Sequence, residues 1–135
     1  MSRKMFVALA LGFGALAAAM PASAHHSFSS VFDASKPVEL SGVLAEIKLE
    51  NPHSWFYIDV TDAGGKVVRW GFEGSTPTSL IRSGFKPGSL KVGDQVTVKG
   101  SRARDMSKNQ GAARSLTLKD GRSFIVGPLG TEPDQ

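Results

Sequence analysis

From residue 38 onward the chain is built of short runs in which apolar and polar residues alternate, each run closed by glycine, proline, asparagine or aspartate. A period of two puts alternate side chains on opposite faces, which suits a half-buried strand and cannot keep one helix face dry. The first run, residues 38–49, sets Val43, Ala45, Ile47 and Leu49 on one expected face and Glu46, Lys48 and Glu50 on the other, before Asn51-Pro52 interrupts it. In the second, residues 54–61, Phe56, Ile58 and Val60 oppose Trp55, Tyr57 and Asp59. Asp62-Ala63-Gly64-Gly65 then predicts a tight hairpin turn into a third strand over 66–73, because glycine accepts the positive φ such turns need. Trp70 and Phe72 fall on its core face.

Thr76-Pro77 predicts a short helix, with Thr76 as cap and Pro77 at the first helical position. Leu80 and Ile81 are its expected buried residues and Ser83-Gly84 its end. A fourth strand is expected over 95–104, with Val96 and Val98 inward, followed by a polar loop over 105–111. Residues 113–118 and 122–126 flank Lys119-Asp120-Gly121 as a last hairpin. Three antiparallel strands, a short helix and further strands give an all-β chain with the element order of a small OB-like Greek-key β-barrel. Another small β-barrel or roll is the competing reading. The expected barrel covers 38–127, with a loose tail at 128–135.

The first 24 residues read differently. Arg3 and Lys4 precede an apolar run over residues 5–19, and Ala22-Ser23-Ala24 is a small-x-small cleavage site. The run falls short of the roughly twenty residues that cross a bilayer. The pattern predicts a bacterial signal peptide removed after Ala24, with a single uncleaved anchor as the alternative. A periplasmic or secreted product follows, with no membrane span after processing. Cleavage leaves 111 of the 135 residues, enough for one domain. Arg3 and Lys4 leave with the signal, so the formal charge of +4 falls to +2, which gives no mandate for nucleic acid. The chain has no cysteine, which removes disulfides, thiolate metal sites, cysteine nucleophiles and a lipid-anchored N-terminus from consideration.

The same cleavage makes His25 the first residue and His26 the second, within a polar arm over 25–37 whose Phe28, Val31 and Phe32 predict docking on the domain. A terminal amine beside its own imidazole chelates divalent metals, and a further imidazole from His26 or His53 completes three nitrogen ligands. That donor set suits copper as Cu(II). The competing reading is a solvated histidine pair and a structural turn residue at His53. A second constellation is the outward row His53, Trp55 and Tyr57, beside Arg69, Gly71 and Glu73 of the next strand. Such a face in OB-like barrels is a ligand platform, where aromatic rings stack a flat ligand and Arg69 and Glu73 orient it. Its competing reading has Phe28 and Phe32 covering Trp55. Arg102, Arg104, Lys108 and Arg114 form a basic set that reads better as a solvated face than as an anion site. No nucleophile elbow, zinc-protease motif or phosphate loop is present, and Glu46 and Glu50 have no spacing that marks an acid–base pair.

Several segments together resemble a known family: Ala24-His25-His26-Ser27-Phe28, Phe32-Asp33, Asn51-Pro52-His53, and Trp70-Gly71-Phe72-Glu73-Gly74. Leu90-Lys91-Val92-Gly93-Asp94-Gln95-Val96 and Gly111-Ala112-Ala113-Arg114-Ser115 extend the likeness over essentially the whole processed chain. The family is one of small exported bacterial proteins catalogued as domain of unknown function 6152. The resemblance implies an exported single-domain β protein and brings no activity with it. The sequence therefore predicts a monomeric exported binding module rather than an enzyme. Its first expected ligand is copper or a related divalent metal at His25, His26 and His53, with Trp55 and Glu73 nearby. The alternative is an accessory domain that binds a small ligand or a periplasmic protein partner at Trp55, Tyr57, Arg69 and Glu73, without metal.

Overall fold

The computed structural model describes residues 27–128. Asp62 organises the first hairpin. Its carboxylate accepts from the amides of Gly64 and Lys66, both at 2.9 Å, and its carbonyl accepts from Gly65 at 3.0 Å. Gly65 adopts φ 83°, a region that costs most L residues energy and glycine none. The turn joins β2 (Trp55–Thr61) to β3 (Val67–Glu73) and fixes Trp55 opposite Glu73, Tyr57 opposite Gly71 and Asp59 opposite Arg69. Phe56 and Ile58 are fully buried, as the alternation predicts, while Trp55, Tyr57 and Asp59 keep partial exposure.

A short helix, α1 (Phe28–Val31), leads into β1 (Phe32–Lys48), which is long enough to pair with β2 along one edge and β4 (Gln95–Ala103) along the other. Between β3 and β4 lies α2 (Pro77–Arg82), capped by Thr76, whose hydroxyl oxygen accepts from the Ser79 amide at 3.2 Å. β5 (Gln110–Leu118) and β6 (Ser123–Ile125) complete a six-stranded sheet in the order β3-β2-β1-β4-β5-β6. A parallel pairing of β3 with β5, through Gly71–Gln110, Phe72–Gly111 and Glu73–Ala112, brings the sheet round into a ring. The class is all-β with few short helices: a β1-β2-β3 meander, with β4 on the other edge of β1 and β5 joining β4 to β3, the OB-like order of pairings that the element order predicts.

Inside the ring, Leu44, Phe56, Ile58, Phe72, Val98 and Leu116 are fully buried, with Leu80 of α2 and Val126 beside them. Phe85 meets Phe56 and Phe124 edge-on, at 6.4 and 5.9 Å between ring centroids. No helix among the described residues is long and apolar enough to cross a membrane.

The structure corrects four sequence expectations. The first strand begins at Phe32 rather than at residue 38, so much of the expected arm is sheet. Over the expected span its fully buried residue is Leu44, while Val43 is 42% exposed; Phe32, at the start of the strand, is buried as well. The register runs from Leu44–Ile58 to Glu46–Tyr57, so Ala45 is an extra residue that resets the alternation and lets Ile47 also pack on the core. Ile81 is exposed, because neighbours on a six-residue helix diverge by a third of a turn and Leu80 takes the core side. Phe28 and Phe32 pack with Ala103 and Ala112 instead of on Trp55.

Candidate functional site

The outer face of β2 and β3 is the best-formed candidate. Ser54 is fully buried, and its backbone continues the hairpin beyond the strands: its amide donates to Ser75 O at 3.1 Å and its carbonyl accepts from Gly74 at 2.8 Å. His53, held immediately before this clamp, places Nδ1 3.2 Å from Glu73 Oε1. At that distance the carboxylate stands as an acceptor for an Nδ1 proton, the arrangement in which an imidazole's other nitrogen is the one turned outward. The imidazole side chain is 47% exposed and the Glu73 side chain 22%, so the ring stays open to solvent while its orienting group is sheltered.

Next along the face, the Trp55 and Tyr57 rings stack, with centroids 6.1 Å apart and planes 19° from parallel. Gly71 lies beneath Tyr57: a Cβ there would come 3.1 Å from the ring, so the missing side chain lets the phenol lie down on β3. Lys48 Nζ stands 5.5 Å from the Tyr57 centroid, a cation–π arrangement, and 3.5 Å from Glu46. At the far end Arg69 grips Asp59 through two bonds, Nε to Oδ1 at 2.8 Å and Nη2 to Oδ2 at 3.0 Å. That grip holds the Asp59 carboxyl below its ordinary range, the hydrogen bond from Arg69 being the main cause, and raises Arg69.

Of the residues singled out in the sequence, the structure brings His53, Trp55 and Glu73 together and lays Tyr57 beside them. Arg69 stands apart. It lies four residues from Glu73 on β3, about 13 Å along an extended strand, with its guanidinium committed to Asp59. His25 and His26 lie outside the described residues. Among the described residues no three metal-ligating side chains gather. Lys48 and Asp59 were missed by the sequence reading. Counting back from the Asp62 turn pairs Asp59 with Arg69, whereas Lys48 is hidden by the bulge at Ala45.

The basic set disperses. Arg102 lies over the Trp70 ring at 4.3 Å and donates to Met106 O at 3.2 Å. Arg104 bonds Ser29 O at 2.6 Å and approaches Asp33 at 3.6 Å, and Lys108 pairs with Asp105 at 3.7 Å. A concavity of about 870 Å³ whose lining includes neither His53 nor Glu73 lies along the outside of β1, β4 and β5, where Phe28, Pro37, Val38, Lys99 and Ala112 border it. Its charged lining residues are Glu39, Lys99 and Arg114, with Lys99 Nζ 3.5 Å from Glu39.

No curated protein and no solved structure matches the chain. The sequence does match the Family of unknown function (DUF6152) over residues 14–113, most of its length, and the chain belongs to that family.

Proposed function

We propose that this protein is an exported, non-enzymatic binding module that holds a divalent metal, copper as Cu(II) by preference, through His53 and the histidine pair His25–His26 of the processed N-terminus. The observation that carries the reading is the His53–Glu73 pair. An imidazole whose Nδ1 faces a sheltered carboxylate while the rest of the ring stays open is arranged as metal-binding histidines usually are, with the carboxylate fixing the tautomer and raising ligand basicity. The position of the arm supports it. Phe28 packs on the cluster of Phe32, Ala103 and Ala112, and Ala112 is the residue opposite Glu73 across the β3–β5 pairing. His26 precedes Phe28 by two residues, a reach of about 7 Å in extended chain. Nitrogen-rich coordination favours Cu(II) over the other common divalent ions.

The test is Cu(II) titration of the processed protein, its His25 start confirmed by mass spectrometry, with electron paramagnetic resonance on the bound ion. The expected result is one ion bound below micromolar concentration by three nitrogens, with the site lost in His53→Ala and on addition of one residue before His25. Weak binding that survives His53→Ala would overturn it. A second reading, favoured by the Trp55–Tyr57 stack, is a flat small ligand or a protein partner on that face. It predicts indifference to His53→Ala and loss of binding in Trp55→Ala.

A further inference from the structure

The strand register lays out the outer face of β1, β2 and β3 as three cross-strand rows. Residues directly opposite one another share a face of the sheet. Lys48, Trp55 and Glu73 form the first row, Glu46, Tyr57 and Gly71 the second, and Val43, Asp59 and Arg69 the third. The aromatic residues occupy the middle strand, with charged side chains on both flanks. Their rings are half-buried and lie 19° from parallel, at 6.1 Å between centroids, so they form one apolar strip rather than two separate patches. Gly71 keeps the β3 flank of Tyr57 open, since a Cβ there would stand 3.1 Å from the ring. From the β1 flank, Lys48 Nζ stands over the Tyr57 ring at 5.5 Å, so the ring already receives an electropositive group.

The polar groups around the strip come as couples of donor and acceptor: His53 Nδ1 with Glu73 at 3.2 Å, Lys48 with Glu46 at 3.5 Å, and Arg69 with Asp59 at 2.8 Å. Three carboxylates face two permanent cations, and each of those cations is engaged by a carboxylate. A polyanion would meet the carboxylates at close range and gain little from the engaged cations. A sugar hydroxyl both donates and accepts, so each couple bonds it without asking the ligand to supply a charge. The weakly electropositive C–H face of a sugar ring suits the negative face of an aromatic one. We infer that this face binds a neutral oligosaccharide: consecutive sugar rings lie on Trp55 and Tyr57, with hydroxyls bonded by His53 and Glu73 on one flank and by Lys48 and Glu46 on the other. The face of strands two and three is where OB folds take oligosaccharides among other ligands. The inference deepens the ligand-face reading and rests on it; it needs neither a metal nor any residue before Ser27.

The test titrates the purified protein with four uncharged hexasaccharides: cellohexaose, xylohexaose, laminarihexaose and maltohexaose. A heparin hexasaccharide is the charged counterpart, and caffeine is a flat ligand that is not a sugar. Binding is read in the amide and indole resonances. At least one uncharged hexasaccharide is expected to move the Trp55 indole and the Tyr57, Gly71 and Glu73 amides saturably, with a dissociation constant of about 1 mM or tighter that does not change with salt. The Trp70 indole, packed on the core side of β3, stays in place. Trp55→Ala weakens binding about tenfold or more, and Trp55→Phe, which keeps a ring there, retains part of it. Glu73→Gln preserves the side-chain shape and removes the charge, and it weakens binding severalfold without loss of the fold. No response to any of the four at about 5 mM overturns the inference. So does heparin bound more tightly than all of them, with affinity that falls as salt rises. If caffeine moves the Trp55 and Tyr57 resonances of the parent protein while no sugar does, the ligand face stands and the sugar assignment fails. A sugar that binds Trp55→Ala undiminished and moves other resonances overturns both.

Discussion

Gly111→Ala tests the closure of the ring. Gly111 lies in β5 opposite Phe72 of β3 and opposite Arg102 of β4. A Cβ added there would stand 2.7 Å from the Ser101 carbonyl oxygen and 2.9 Å from the edge of the Phe72 ring. Carbon and oxygen in ordinary contact sit beyond 3 Å, so the methyl must push β4 backbone and the fully buried Phe72 at once, and neither has space to yield. Overpacking of this kind costs about 1–3 kcal/mol, partly offset by the roughly 0.5–1 kcal/mol that alanine gains over glycine within a strand. Gly71→Ala is the matched control. Its nearest obstacle is the Tyr57 ring at 3.1 Å, a half-exposed side chain that can lift by a few tenths of an ångström, so its net effect is near zero. The two variants should differ by about 1 kcal/mol, or roughly 4–8 °C in thermal midpoint for a domain of this size. Urea unfolding followed by fluorescence of Trp55 and Trp70, with calorimetry for the midpoints, reads the difference. Equal stability of the two variants would refute the close packing of β5 between β3 and β4.

Two further outcomes concern stability. Thr76→Ala removes the cap that accepts from the Ser79 amide and should cost about 1 kcal/mol, while Thr76→Ser should be close to neutral; equal midpoints for all three proteins would show that the cap contributes nothing. Acid unfolding should follow the carboxylates. Asp33, Asp59, Asp105 and Asp120 are all held below the ordinary aspartate range, chiefly by hydrogen bonds from Ser35, Arg69, Ser107 and Arg122 respectively. A depressed carboxylate stabilises the fold above its unfolded pKa and ceases to do so as pH falls through its folded value. The urea midpoint should therefore vary little on account of these groups between neutrality and about pH 5 and drop below about pH 4; an unchanged midpoint at pH 3 would count against the four pairings.

The legible part of this fold is what a local signal sets. The Asp62 turn counts out the β2–β3 register, and with it the faces of Trp55, Tyr57 and Phe56. Thr76-Pro77 marks α2 for the same reason, since a cap and its first turn are neighbours in sequence. The face of β1 was not legible, because Val43, Leu44, Ala45 and Ile47 supply apolar residues to both parities and the bulge chooses between them. Nor was the seat of the arm. It depends on Arg104, some 75 positions from Ser29, and on Ala112, neither of which any periodicity ties to Phe28. At the candidate site the partnership of His53 with Glu73 follows from the hairpin register carried past Trp55. The neighbourhood of the arm follows from the β3–β5 pairing, which has no short-range signature.

That pairing also governs how the chain reaches its native state. Three residues of β3 meet three of β5, across nearly forty positions of intervening sequence, so loop-closure entropy opposes the contact until β4 has already paired with β1. Until it forms, β3 and β5 each present an unsatisfied strand edge, rich in valine on the one side (Val67 and Val68) and in alanine on the other (Ala112 and Ala113). Ring closure extinguishes part of both edges in a single event. Substitutions that delay it should therefore appear first as intermolecular association during refolding, worsening with protein concentration, before any change is seen in the finished fold.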